Sequence, residues 1–318
     1  MEKTFDLLSM GRCSIDLYAN DIGAPFEEIT SFAALVGGCP TNIAVGTRRL
    51  GLHVALMTGI GADKVGDFVR HFLDKEGVDH RFTPTKAGRR TPAVLLGIQP
   101  PDKFPLIFYR DNNPDLELDF DDVDAAPVEA ARVLLISGTA LIRDPSRSAT
   151  QYAAEKAARA GTDVIMDIDY RADQWFDARA YGVAVRNTLP LVDIAIGNEA
   201  ELIASTGETS VETAIARLLA GVRKAVIFKL GELGSAVYTK DGQVHHAKPF
   251  KIDVLNVLGA GDAYASGFIY GYLNDWGWLK SARMGNANGA IVVTRQGCAN
   301  AMPTLAETLA FIEAHGGF

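Results

Sequence analysis

Cysteine is scarce in this chain. There are three among 318 residues, Cys13, Cys39 and Cys298, and no two of them form a C-x-x-C pair. That excludes a thiolate zinc site and a disulfide framework. Together with the lack of a secretory leader, it predicts reduced thiols in a cytoplasmic protein. The six histidines are scattered, and His245-His246 has no further ligand at metal spacing. No apolar run approaches the length that crosses a bilayer. Basic charge is also short: 31 Lys and Arg stand against 39 Asp and Glu, a net charge of −8. Nucleic acid and anionic membranes are therefore excluded as general partners, and an anionic ligand must be met by local arginines or backbone amides. There is no Gly-x-x-x-x-Gly-Lys-Ser/Thr loop, which excludes a P-loop phosphate site. Gly59-Ile60-Gly61-Ala62-Asp63-Lys64 approaches a dinucleotide fingerprint. It fails because Lys64 takes the place of the third glycine and no acid ends a following strand at the right distance, so a nicotinamide oxidoreductase is disfavoured.

What is present is an ordinary globular composition, 48% hydrophobic and 22% charged, long enough to bury a large core. Short apolar runs at 5–10, 53–58, 133–137, 164–168, 193–196 and 225–230 read as strands, and helical stretches at 38–50, 64–76, 145–160 and 179–187 fall between them. This alternation predicts an α/β fold with a central, mostly parallel sheet covered by helices on both faces. Asp241-Gly242 marks a hairpin between 235–238 and 243–246, and helices at about 260–274, 279–294 and 304–314 close the chain. Two stretches break the rhythm. Residues 17–36 lack helical period, and 90–110 hold two apolar segments around Gln99-Pro100-Pro101-Asp102, a hairpin signal. With no repeat or long linker, the whole of 1–318 reads as one domain carrying an insertion.

Two glycine-rich stretches carry the chemistry. In Asn256-Val257-Leu258-Gly259-Ala260-Gly261-Asp262, three small residues and an acid open a helix. Small residues let backbone N–H groups face an anion, and the first turn of a helix has such groups to spare. An acid placed there can take a proton from an attacking hydroxyl while the amides hold the transferring group. It can equally be an N-cap, and the stretch alone leaves both readings open. The second stretch is Gly37-Gly38-Cys39-Pro40-Thr41-Asn42, a glycine pair opening another helix with an amide side chain at its mouth.

Together these stretches resemble the paired signatures of the ribokinase (PfkB-type) family of sugar kinases, and the resemblance runs over nearly the whole chain. It implies a ribokinase-like fold in which segments at about 17–36 and 90–110 form a small β-lid over the sugar. It implies ATP and Mg²⁺ as cofactors, with Asp262 as general base and Gly259, Ala260 and Gly261 steadying the phosphoryl group. Asp16, Gly37, Gly38 and Asn42 are the implied sugar-side residues. Asn198 and Glu201 resemble the family's Asn-x-x-Glu element, in which the glutamate organises magnesium through water. The alternative is that Glu199 and Glu201 only favour a helix N-terminus. Lys229, Gly231 and Gly234 look like the nucleotide-side loop, and Asn288 falls where the adenine pocket is built. Many relatives have aspartate at the position of Asn256, so a monovalent cation is in doubt.

Arg110, leaving the lid segment, and Arg171, in Asp167-Ile168-Asp169-Tyr170-Arg171, offer planar forks suited to a carboxylate. That stretch is similar to one found in acid-sugar kinases of the family. Gly11-Arg12-Cys13-Ser14-Ile15-Asp16-Leu17-Tyr18 and Arg295-Gln296-Gly297-Cys298-Ala299 resemble the branch that acts on 5-dehydro-2-deoxygluconate in inositol catabolism. The expected reaction is ATP-dependent phosphorylation of a primary hydroxyl on that sugar acid. The alternatives are another sugar of the family (2-keto-3-deoxygluconate, fructose, ribose or a nucleoside) or a catalytically silent sugar-binding protein. Exposed lid strands allow a homodimer.

Overall fold

The computed structural model describes residues 2–100 and 103–318. The chain opens with β1 (Phe5–Met10), β2 (Ser14–Ala19), β3 (Phe32–Gly37), α1 (Cys39–Arg49), β4 (Val54–Met57), α2 (Lys64–Glu76), β5 (Ala93–Leu96) and β6 (Leu106–Tyr109). It continues through α3 (Phe120–Ala125), β7 (Ala131–Ser137), α4 (Ser146–Arg159), β8 (Asp163–Asp167), α5 (Ala178–Thr188), β9 (Ile194–Asn198), α6 (Glu199–Thr206) and α7 (Val211–Gly221). The last elements are β10 (Ala225–Lys229), β11 (Ser235–Thr239), β12 (Val244–Ala247), α8 (Ala260–Leu273), α9 (Gly277–Val292) and α10 (Leu305–Ala314).

Eight strands form the central sheet in the order β12-β11-β10-β9-β8-β7-β1-β4. The pairs from β4 to β10 are parallel, and only β11 is reversed, pairing antiparallel with β10 and, across the Asp241-Gly242 turn, with β12. The strands read as continuous apolar runs because helices cover both faces. Leu8, Leu134, Val164 and Ala195 point into one core with α4 and α5, while Leu7, Val133, Ile165 and Ile194 point into another with α1 and α8. One sheet thus has two buried sides.

The irregular stretches form a second sheet of four strands, ordered β3-β2-β5-β6. β2 pairs with β3 antiparallel and with β5 in parallel, and β5 pairs with β6 antiparallel. The predicted hairpin is therefore present as β5 and β6, although Pro101 and Asp102 of its connection lie outside the described residues. β2 starts earlier than the expected segment, at Ser14. Asp16 consequently lies within this second sheet, opposite Leu35, and not on a loop after β1. The helices at 120–125 and 211–221 add to those read from the sequence. Among the described residues no helix is long and apolar enough to cross a membrane.

Candidate active site

Helix α8 starts at Ala260 with Gly259 as its N-cap, so Asp262 sits at the third helical position and does not cap the helix. Its carboxylate instead accepts a hydrogen bond from Asn42 Nδ2 at 2.7 Å, across the packed pair α1 and α8. The N-cap reading of Asp262 is thereby removed. Gly259 has φ of 83°, the left-handed region that favours glycine. Burial raises the pKa of Asp262, and the Asn42 hydrogen bond works against that rise. The net direction is upward, so this carboxylate, in the first turn of α8, is more basic than an ordinary aspartate.

Asp262, Asn42, Gly38 and Gly259 line a cavity with Asp16, Arg12 and Arg171. Its other wall is the apolar face of the second sheet, through Val94, Leu96, Leu106 and Phe108. Asp16 is buried and accepts from Ser14 Oγ at 2.6 Å, and burial pushes its pKa up to about 6. A Cβ on Gly37 would stand 1.8 Å from Asp16 Oδ2, so glycine at 37 is what allows the carboxylate its place. The glycine pair does two things: it supports Asp16 and starts α1, which carries Asn42.

Behind this cavity lies a charged cluster on the ends of β8, β9 and β10. Lys229 Nζ is 3.6 Å from Asp167 Oδ2 and 3.4 Å from Glu201 Oε2. Burial works against its charge, but the two acids hold its pKa above the ordinary lysine value. A Cβ on Gly261 would come within 3.0 Å of Lys229 Nζ, which places the lysine against the start of α8. Asn198 and Glu201 form a capping box on α6: Asn198 N donates to Glu201 Oε2 at 2.7 Å, and Glu201 N to Asn198 Oδ1 at 3.0 Å. Glu201 therefore serves the helix and also faces Lys229. Gly231 and Gly234 bracket the turn from β10 to β11.

Two expected residues lie elsewhere. Arg110 pairs with Asp115 at 2.6 Å, both nearly fully buried, and lines an adjoining cavity of about 260 Å³ with Asp111, Arg143 and Asp173. Asn288 is fully buried and accepts from Thr308 Oγ1 at 2.8 Å, inside the packing of α9 against α10. Neither Arg12 nor Asp167 is named as a site residue from the sequence, and Asp169 is reached only within the Asp169-Tyr170-Arg171 stretch that follows a predicted strand. Each lies at or just past the end of β1 or β8, so strand ends were the available signal. Asp169, at φ 38°, accepts from Arg171 Nε at 2.9 Å through one oxygen. Through the other it accepts from Arg12 Nη2 at 3.3 Å, Ser137 Oγ at 3.1 Å and Thr139 Oγ1 at 3.2 Å. These donors hold its pKa far below the usual carboxylate range against the opposing effect of burial.

An acid in the first turn of a glycine-opened helix, a lysine beside it and a polar cavity walled by a small sheet suggest a phosphotransferase. The model of the pfkB family carbohydrate kinases matches residues 4–305. The chain belongs to the PfkB family of carbohydrate kinases. It is a kinase, and its substrate is a small-molecule sugar. The chain is 37% identical to the 5-dehydro-2-deoxygluconokinase of Geobacillus kaustophilus, over 99% of this chain and 95% of that protein. To the enzyme of the same name from Clostridium perfringens it is 36% identical, over 98% and 94%. Among solved structures, a PfkB protein from Polaromonas sp. JS666 superposes with a TM-score of 0.83 at 26% identity, covering 96% of this chain and 99% of that one. An Escherichia coli protein solved in complex with ATP and Mg²⁺ gives 0.89 at 24% identity, covering 99% and 100%. The fold is thus ribokinase-like, as the sequence implies.

Proposed function

We propose that this kinase transfers the γ-phosphoryl group of ATP to a primary hydroxyl of a small sugar acid, with 5-dehydro-2-deoxygluconate the first candidate. The near full-length identity to relatives carrying that enzyme's name supports the substrate. The observation that carries the mechanism is the Asn42–Asp262 hydrogen bond at the first turn of α8. Asp262 takes the proton of the attacking hydroxyl, with its basicity raised by burial and its orientation fixed by Asn42. The N–H groups after Gly259 meet the charge that spreads over the transferring phosphoryl oxygens. Asp16 accepts from sugar hydroxyls, and Lys229 faces the phosphates once they displace its acidic partners.

The acidic oxygens of Asp167 and Glu201 suit Mg²⁺, and Asp167 Oδ2 is buried without a hydrogen-bond partner. Cys39, whose thiol is near Asp167 and Asp262, does not suit it, because burial keeps the thiol protonated. Bound magnesium would offset phosphate charge there, with Glu201 acting through water. Asn198, Gly231, Gly234 and Asn288 stay on the nucleotide side of this proposal, Asn288 only as a support for α9. Arg171 belongs to the sugar side. A monovalent cation is left out, since Asn256 brings no charge to its loop. The three buried free cysteines agree with a cytoplasmic location. The exposed Ile107 and Tyr109 on edge strand β6 offer a surface for pairing two lids.

The test is ATP turnover with a panel of sugar acids, neutral sugars and nucleosides. Preference for 5-dehydro-2-deoxygluconate supports the proposal. Preference for fructose, ribose or a nucleoside overturns the substrate but keeps the kinase, and no turnover with any member favours a silent sugar-binding role.

A further inference from the structure

We propose that Arg12 is a specificity-determining residue, which together with Arg171 forms the receptor for the carboxylate of the substrate. This rests on the sugar-acid reading above. Arg12 is 5% exposed and lines the cavity that holds Asp262. A guanidinium has five N–H donors. Among the described residues the Arg12 guanidinium makes one hydrogen bond, to Asp169, and its Nε is buried without a partner. Leaving a charged donor unpaired in the interior is costly, so such a group marks a place that a ligand fills.

The placement of the arginines points the same way. Arg110 pairs with Asp115 at 2.6 Å and, although its Nη1 is also buried without a partner, it lines the adjoining cavity and not the one that holds Asp262. Arg12 and Arg171 share a single directly contacting acid, Asp169, so two guanidinium forks have one carboxylate between them. Asp16 and Asp262 face the same cavity, but they take their hydrogen bonds from Ser14 and Asn42 and from neither arginine. Asp169 contacts the two arginines through different oxygens, which sets their separation. Arg12 also lies 5.9 Å from the centroid of the Phe108 ring on β6, so the second sheet covers the guanidinium and keeps its surroundings poor in water.

The experiment compares the sugar acid with its uncharged methyl ester, by kcat/KM and by calorimetric binding, in the parent, Arg12→Gln and Arg110→Gln. Losing charge-assisted hydrogen bonds costs about 10- to 100-fold in affinity. Arg12→Gln is expected to lower the acid-over-ester preference by that factor, while Arg110→Gln affects acid and ester alike. ADP affinity, measured in parallel, reports the nucleotide side. If Arg12→Gln does not fold, Arg12→Lys keeps the charge and loses the fork, and the same ratio must fall by about 3- to 10-fold. A preference kept in Arg12→Gln, or in Arg12→Lys should that be the variant read, overturns the proposal. So does a loss confined to ADP binding, or a collapse in Arg110→Gln alone. A parent that shows no preference for the acid contradicts the substrate itself, which separates the two failures.

Discussion

Asn42 and Asp262, from two glycine-opened helices far apart in sequence, meet at 2.7 Å, with the amide donating to the carboxylate. A donor to the ionised form lowers a carboxylate's pKa, and burial raises it. Replacing Asn42 by alanine removes the first influence and leaves the second. The acid limb of the kcat/KM profile, which reports deprotonation of the base, is therefore expected to move to higher pH in Asn42→Ala. An unchanged or downward-shifted limb would detach Asp262 from that limb.

Gly37→Ala would put a Cβ into the space of Asp16 Oδ2. The expected outcome is a folded enzyme whose KM for the sugar rises by about 10- to 100-fold, the worth of a lost charge-assisted contact. ADP affinity should change little. An unaltered KM would remove Asp16 from the sugar site.

Glu201 caps α6 and also faces Lys229. Gln fills the same position in a capping box, so Glu201→Gln separates the two tasks. Chelation is expected to abolish activity and magnesium to restore it. In the variant the magnesium concentration for half-maximal rate should rise several-fold at nearly constant melting temperature. A parent insensitive to chelator contradicts metal-assisted phosphoryl transfer, and an unchanged magnesium response leaves Glu201 as a cap only.

Asp169→Asn leaves Arg12 buried without its counter-charge. Removing one member of a buried pair typically costs about 3 kcal/mol or more. The sign with pH follows from the depressed pKa of Asp169 in the folded state. Its contribution is complete above the unfolded carboxylate value of about 3.9 and fades as pH falls towards the folded one. Denaturant unfolding should show a large gap between parent and variant at pH 7 that narrows below about pH 4. A gap independent of pH would mean that the loss is steric.

Much of this was legible in the chain. Six apolar runs separated by helical stretches give a parallel sheet, and the glycine pairs mark where α1 and α8 begin, because close approach and left-handed backbone leave few other residues possible. The acids and amide at those helix starts could be named for the same reason. Arg12 and Asp169 had only their places after strands to mark them, and their pairing could not be read, since it is fixed by tertiary structure alone. Arg110 is a different case, lining the adjoining cavity. It leaves the lid as a substrate arginine would, but Asp115, five residues on, closes its charge. The helix at 211–221 was legible too: Val211, Ala214, Ile215, Leu218 and Leu219 stand at helical spacing behind Ser210, its N-cap.

The most direct test of Asp262 as the base is the near-isosteric change Asp262→Asn, with turnover of ATP and 5-dehydro-2-deoxygluconate measured beside the affinities for ADP and for the sugar. The expected result is a kcat lower by about 10²–10⁴-fold with both affinities within a few-fold of the parent. A kcat within a few-fold of the parent would contradict general-base catalysis by Asp262.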